Sequence, residues 1–473
     1  MVCTLTKLEL VLIGCLLSLA AACSGTEAAE NASASGAAGT QALSGAAGQA
    51  TPSSSAGTPS GGTGSGPTSG GGGGVSALAG SGGTLAALGA MGGMGGMAQN
   101  AAGQRSDPIP VDQLPIIKEL PDPLTMLDGT KVTTPEQWKL RRQELIQILE
   151  DYEYGHMPPA PGNVTATTTT ATKRVSLSGG LEADYRMLRL SFGPEQKLGF
   201  DLGIFTPAAA GATAPFATLI VLTSSAGEKS LADASAALSR GYAVATVPYQ
   251  QLGADAKNWA TTAFFPAYPD FDWRDFSAWA WGISRAVDYL VTDTAIDASK
   301  LMVTGVSRLG QAALLVGAFD ERIALTAPVA GGMAFRFSGK EMGGGLGQGI
   351  TEIVDQNTYW FGPRLPEFRN KTPRLPSDQH WLPALAAPRP FILCNSLQDQ
   401  YGRAYAAVQT YQGAKPVYAL LGAEQHLGLN FRAGSHGMTS EDWSALLDFA
   451  DQNLLGKSGS RRFDVIPPAD QLP

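Results

Sequence analysis

Four short apolar runs limit what this chain can become: residues 217–222, 242–247, 301–304 and 391–395. Each is long enough for a strand and too short for a packed helix, and such runs are typical of strands buried on both faces of a parallel sheet. Helical stretches lie between them, at residues 231–239, 276–290 and 311–319. Strand and helix in alternation imply an α/β architecture: a mostly parallel central sheet covered by helices on both faces, a three-layer sandwich. Residues 165–172, 183–192 and 198–205 add extended segments, 416–421 reads as a further strand and 440–453 as a helix. Thr134-Pro135-Glu136-Gln137 opens a helix whose face carries Trp138, Leu145, Ile148 and Leu149, and Gly155 marks its end. Sheets of this kind place their sites at the carboxyl ends of the strands.

The remainder of the chain is organised around that domain. Residues 1–23 contain Lys7, an apolar stretch over 10–22 and then small residues, the pattern of a secretory signal. Leu19-Ala20-Ala21-Ala22-Cys23 resembles a bacterial lipobox with Cys23 as the lipidated residue, although Ala20 stands where Leu is usual; the alternative is a cleavage site at Ala20-Ala21-Ala22. Export is expected, as an outer-membrane lipoprotein or a secreted protein. Residues 24–106 form a Gly/Ala/Ser/Thr-rich tether, without a charge from Asn31 to Gln104, which cannot bury enough apolar surface to offset chain entropy. Its Met91, Met94 and Met97 read as low-complexity drift. A single globular domain is expected over 107–457, with a loosely attached tail over 458–473. Cys3 and Cys15 leave with the signal and Cys23 carries lipid, so Cys394 remains as a small buried residue and no intramolecular disulfide is expected. The net charge of −8, without a basic stripe, argues against nucleic-acid binding. No internal run reaches the about 18–20 apolar residues of a membrane span, so membrane contact is confined to the anchor.

The chemistry enters where the 301–304 run meets Gly305-Val306-Ser307-Arg308-Leu309-Gly310-Gln311. A strand, a serine flanked by glycines and a helix form a nucleophile elbow, spaced here G-x-S-x-x-G rather than G-x-S-x-G. The elbow sets Ser307 at a helix N-terminus, where backbone N–H groups can hold an oxyanion; the bland alternative is a simple N-cap. A nucleophilic serine needs a base, and the chain has four histidines. The order Ser, acid, His excludes His156 and leaves His380, His426 and His436. His436 is favoured, in the glycine-rich Ala433-Gly434-Ser435-His436-Gly437 before the 440–453 helix. Asp399, four residues beyond the 391–395 run, is the favoured acid, with Asp355 and Glu341 as alternatives. No His/Cys/Asp cluster has ligand spacing, so neither metal nor cofactor is expected.

These residues resemble carbohydrate esterase family 15, the glucuronoyl esterases of the α/β-hydrolase superfamily. The family's elbow, roughly G-C/H-S-R-x-G-K, stands here as the 305–311 segment, and Trp279-Ala280-Trp281-Gly282 and Asp378-Gln379-His380 beside Ala387-Pro388-Arg389-Pro390 extend the likeness over about residues 107–455. The resemblance implies an α/β-hydrolase fold and a serine esterase with Ser307, His436 and Asp399 as triad. It implies that the Arg308 guanidinium helps hold the oxyanion, the bland alternative being a surface arginine that merely pairs with an acid; that Gln311, Glu341 and Tyr401 contact the sugar; and that Trp360 is pocket wall or core. His380, before the 391–395 run, sits by its chain position where a pocket wall would be. The implied substrate is an ester between 4-O-methyl-glucuronate on plant cell-wall xylan and a lignin alcohol, and a monomer is expected. The chain departs from the family at Gln311, where Lys is usual; at Ala327 or a neighbour, where many members carry an acidic Glu; and at Tyr401, where Trp is usual. The rival readings are another carbohydrate or small-ester hydrolase on the same triad, and a non-catalytic polysaccharide-binding lipoprotein.

Overall fold

Each of the four apolar runs forms a strand of one nine-stranded sheet in the computed structural model, which describes residues 108–472 except 210, 232–234 and 344. The chain divides into units Met1–Leu78 and Ala79–Pro473, and all the described residues belong to the second. The readings of the signal, of Cys23 and of the tether lie outside them.

In chain order the strands are β1 (Thr165–Ser176), β2 (Glu182–Phe192), β3 (Leu198–Pro207), β4 (Phe216–Thr223), β5 (Ala243–Pro248), β6 (Ile296–Val306), β7 (Ile323–Val329), β8 (Phe391–Ser396) and β9 (Leu427–Arg432). They lie in the order β1-β2-β3-β5-β4-β6-β7-β8-β9. The pairs β1–β2, β2–β3 and β3–β5 are antiparallel, and every other neighbouring pair is parallel. The helices are α1 (Pro135–Leu149), α2 (Ser235–Ser239), α3 (Asp275–Leu290), α4 (Arg308–Phe319), α5 (Ile350–Gln356), α6 (Trp381–Ala386), α7 (Ala404–Leu420) and α8 (Ser440–Leu454).

The period of two along a strand sorts side chains into two cores. Leu301 and Val303 of β6 enter one and Met302 the other; Phe391 and Leu393 of β8 enter the first, Ile392 and Cys394 the second. Helices α1, α3, α4, α6 and α7 complete the first core, and α2 and α8 complete the second. This is the expected sandwich. Cys394 is free and fully buried, and burial pushes its thiol far above the ordinary range. No helix among the described residues is long and apolar enough to cross a membrane.

Two expectations need correction. Residues 416–421 are not a strand: Pro416 lies inside α7, and the strand before His436 is β9. Ala414, Val417 and Tyr418 are buried on that helix, and their burial outweighs the cost of a proline in its interior. Nor is the C-terminal segment loose. The Phe463 carbonyl accepts from Leu429 of β9, its ring packs on Phe449, and Arg461 donates to Asn430 at 2.8 Å. The segment thus covers the edge strand of the sheet, which would otherwise present unpaired backbone. Of the expected 231–239 helix, Leu231 closes a 3₁₀ turn, Glu228–Leu231, and Ser235–Ser239 forms α2; residues 232–234 lie outside the described residues.

Helix α1 begins as the sequence suggests, with a capping box between Thr134 and Gln137 and Pro135 in its first turn. It ends in a wide π-turn, Glu150–Tyr154, whose last four residues are all buried. The widened turn carries Glu153 and Tyr154 inward together, beneath the mouth of the sheet. Burial pushes the Glu153 carboxyl up to about 8. Asp275, at the start of α3, is pushed up to about 8 by the same cause. Their ordinary values are 4.5 and 3.8, so the folded protein holds these protons where the unfolded chain releases them. The stability from both groups is therefore complete below the ordinary values and is lost as pH rises toward about 8. Melting temperature should fall between about pH 5.5 and about pH 8.5, and Glu153→Gln, a permanently neutral isostere, should flatten that fall. Calorimetry of both proteins across this range checks it; an unaltered slope in the variant would count against a protonated Glu153.

Candidate active site

Strand β6 and helix α4 meet at Ser307, whose backbone sits at φ 59°, ψ −126°. This left-handed conformation is costly for a residue with a side chain and persists only where the surroundings impose it. Here they do. The Ser307 N–H donates to the Val329 carbonyl of β7 at 2.8 Å, and the Ser307 carbonyl accepts from Gln311 N–H at 3.0 Å. The flanking glycines are steric necessities: a Cβ on Gly305 would lie 2.4 Å from the Leu309 carbonyl oxygen, and one on Gly310 would lie 2.8 Å from that of Val329. The hydroxyl thus stands at the carboxyl end of the sheet above the first turn of α4.

Two strands further across, β8 ends at Ser396 and Asp399 follows. The Asp399 side chain is fully buried and satisfied. Its Oδ1 accepts from the backbone N–H groups of Tyr401 and Gly402, each at 2.8 Å, and its Oδ2 faces His436 Nδ1 at 2.8 Å. A hydrogen on Nδ1 leaves Nε2 as the basic nitrogen. The loop bearing His436 is held at several points. Arg432 donates to the carbonyls of Ala433, Ser435 and Gly437 and pairs with Asp442 at 2.5 Å; Gln398 accepts from Gly434 N–H, and Ser396 donates to the Ser435 carbonyl. Ser307 and His436 border one cavity of about 70 Å³, with Arg308, Gln311, Trp360 and Tyr401. Among the described residues no hydrogen bond joins the Ser307 hydroxyl to the His436 ring; catalytic contacts often close only around substrate. The exposed Tyr401 ring packs edge-on against His436, centroids 5.1 Å apart.

Arg308 is fixed by partners that the sequence did not suggest. Its Nε lies 2.7 Å from Asp255 Oδ2, and its Nη2 donates to Tyr249 Oη at 3.4 Å. Partial burial works against its charge, but Tyr249 and Asp255 outweigh that and hold its pKa above the usual arginine value. Asp255 Oδ1 also accepts from the Trp360 indole at 2.7 Å. Gln311 is nearly buried and donates both amide hydrogens, to Tyr154 Oη at 2.7 Å and to Gln379 Oε1 at 2.6 Å. Gln379 in turn donates to Glu153 at 2.6 Å. Gln311 Oε1 is left as the acceptor available to a ligand.

The other candidates do not join this cavity. His380 is fully buried, donates to the Pro121 carbonyl at 2.8 Å and is pushed down to about 4 by burial, so it is a neutral core residue and not a pocket wall. Glu341 does not reach the cavity either: its carboxylate accepts from Thr372 N–H at 2.8 Å and Thr372 Oγ1 at 2.7 Å, capping a 3₁₀ turn. Asp355 pairs with Arg369, and His426 donates to Pro388 at the opposite end of β9 from His436. Ala327 is buried within β7, and beyond that strand Ala330, Gly331 and Gly332 line the cavity without offering a carboxylate. Among the described residues no group of His, Cys, Asp and Glu could hold a metal ion. Asp255, Tyr249 and Gln379 were missed in the sequence. Gln379 had a signal, since it is the middle residue of the Asp378-Gln379-His380 motif, and so had Tyr249, which closes the segment 240–249 that shares the family likeness; Asp255 had none.

A family model described as "Glucuronyl esterase, fungi" matches residues 194–422. Carbohydrate esterase MZ0003, from an unknown prokaryotic organism, is 32% identical over 396 residues, spanning 71% of this chain and 90% of that protein. A 4-O-methyl-glucuronoyl methylesterase of Phanerochaete carnosa is 31% identical over 355 residues, spanning 72% of this chain and 82% of its own. Among solved structures, a carbohydrate esterase family 15 glucuronoyl esterase from Caldicellulosiruptor kristjansonii aligns with a TM-score of 0.62 at 32% identity, covering 76% of this chain and 96% of that one.

The elbow yields a steric prediction. Gly305→Ala must displace the Leu309 backbone, so it should destabilise the protein by about 1–3 kcal/mol and lower turnover. Denaturant unfolding reads the first effect; a midpoint equal to the parent's would show that the turn accepts a side chain.

Proposed function

Because the chain belongs to carbohydrate esterase family 15, the glucuronoyl esterases, and hydrolyses carboxylic esters of that class, we propose that its chemistry runs through Ser307, His436 and Asp399. Ser307 Oγ attacks the ester carbonyl as His436 Nε2 takes its proton. Asp399 holds the imidazole in the productive tautomer and stabilises its cation. The oxyanion is held by the Arg308 N–H, the amide following the nucleophile, and by the Arg308 guanidinium. Collapse breaks the ester C–O bond, and His436 returns the proton to the departing alcohol. Water, deprotonated by His436, then releases the acyl group from Ser307 as a free uronate. The observation that carries this reading is the 2.8 Å contact between His436 and Asp399, made at the rim of the cavity that Ser307 and Arg308 share.

The substrate that fits is an ester of 4-O-methyl-glucuronate, borne on xylan, with a lignin alcohol; a relative named 4-O-methyl-glucuronoyl methylesterase supports the uronate half. Gln311 would accept from a sugar hydroxyl, with Tyr401 and Trp360 as apolar walls for the ring. The same proposal includes export under the direction of residues 1–23 and a lipid anchor on Cys23.

Ser307→Ala should abolish turnover while leaving the melting temperature within about 2 °C of the parent. Asp399→Ala should lower kcat by about 10³-fold or more; near-full activity would remove it from the triad. The methyl ester of D-glucuronate, assayed beside a simple aryl acetate, tests the substrate class. Preferential turnover of the glucuronate ester is expected. Turnover of the acetate alone would make this a general esterase, and turnover of neither by folded protein would make it a binding protein.

A further inference from the structure

The free uronate that leaves this site is an anion, and Arg308 beside Ser307 is a permanent cation; unopposed, that charge would retain the product as well as the oxyanion. We propose that Asp255 is a positioning residue for Arg308 and the counter-charge that lets the uronate product go. The inference rests on the reading of Arg308 as an oxyanion donor.

One ion pair and two hydrogen bonds meet on Asp255. One carboxylate oxygen lies 2.7 Å from Arg308 Nε, and the other accepts from the Trp360 indole at 2.7 Å. Its backbone N–H donates to Asp275 Oδ2 at 2.9 Å. The residue sits at φ 56°, a left-handed conformation that only a few residue types tolerate, Asp and Asn among them. Its strain is imposed from beneath by buried Asp275, so the carboxylate is aimed by the fold and not by a floppy surface loop. Trp360 is fixed from the other side as well: its carbonyl accepts from Phe276 N–H in the first turn of α3. One carboxylate therefore ties a wall of the cavity to the arginine at its mouth.

The charges balance. Asp275 is held neutral by burial at ordinary pH, with its pKa pushed up to about 8, which leaves Asp255 as the negative partner of Arg308. Asp255 forms an ion pair at Nε and Tyr249 accepts one Nη2 hydrogen of Arg308, and the remaining Nη hydrogens stay available to a ligand oxygen. The arginine can thus donate hydrogen bonds to an oxyanion while its net field on the cavity is reduced. The ester substrate is neutral, so the compensation does not cost its binding.

Asp255→Asn preserves the backbone preference and an acceptor for Trp360 but removes the charge. It should lower kcat on methyl D-glucuronate through a misplaced Arg308 and, at the same time, tighten competitive inhibition by D-glucuronate by about fivefold. A loss of packing alone would weaken both activity and product binding. Unchanged kcat, or inhibition unchanged or weakened, overturns the proposal. Arg308→Gln separates this from the reading beneath it. If that variant keeps full kcat, Arg308 is not an oxyanion donor and the parent reading fails; if it loses kcat while Asp255→Asn does not, the present inference alone fails. Should Asp255→Asn not fold, the parent enzyme carries the test. A compensated site predicts that the D-glucuronate inhibition constant changes less than about twofold between about 20 and about 200 mM NaCl. A change of about fivefold or more would mark Arg308 as uncompensated and overturn the proposal.

Discussion

Everything at the mouth of this sheet is arranged around one strained residue. Ser307 at φ 59° is held by the Val329 carbonyl of the neighbouring strand, by the first turn of α4 and by glycines at the points of closest approach. A left-handed non-glycine residue costs about 1–3 kcal/mol. That cost is met by the sheet itself, since β4, β6, β7 and β8 are buried on both faces and cannot yield without exposing two cores at once. Gly331 shows how tight the arrangement is: a Cβ there would lie 2.8 Å from Gln311 N. The turn after β7 must therefore be glycine-rich for the turn after β6 to exist.

The same constraint bears on where the acid can stand. After β7 the chain runs through Ala330, Gly331 and Gly332, close against the elbow and lining the cavity with backbone. A carboxylate from that turn is absent, and Asp399 after β8 is the carboxylate that meets His436. Its three hydrogen bonds, two from backbone and one from the imidazole, satisfy a group with no exposed surface. The backbone donors come from Tyr401 and Gly402, so the turn that orients the acid also presents the Tyr401 ring to the cavity. Acid placement and the nature of that wall are consequently one structural choice.

What the sequence disclosed follows a physical division. Ser307 was legible because a strand, a glycine-flanked turn and a helix are local patterns. Asp399 and His436 were legible because each follows a strand in the required chain order, although the strand assigned before His436 was the wrong one. Residues 416–421 read as a strand from their local pattern; that Pro416 instead lies inside a helix depends on burial, which is tertiary. His380 and Glu341 carried functional residue types, but their partners, Pro121 and Thr372, lie 259 and 31 residues away in the chain. The tail looked loose because it is short and terminal; its hydrogen bond to β9 depends on which strand forms the sheet edge, and that is a property of topology. Asp255 was invisible for the same reason, since it acts 53 positions from Arg308 (308 − 255) with no motif around it.

The electrostatics of the cavity tie these elements together. Gln311 stands where a lysine would bring a second cation, and its amide is locked by Tyr154 and Gln379, themselves placed by the π-turn at the end of α1 and by the segment before α6. Glu153, behind Gln379, is driven toward its neutral form by burial. Arg308 is the cation that borders the cavity, and Asp255 opposes it. The deep layer of the site is thus polar yet nearly uncharged, and the Arg308 charge at its border is paired. A neutral ester enters such a site without desolvating an opposed ion, whereas the transition state places a negative oxygen against preorganised donors. A lysine at position 311 would stand against Tyr154 and Gln379 with its charge desolvated. The neutral amide of Gln311 therefore suits this buried network without a desolvated charge.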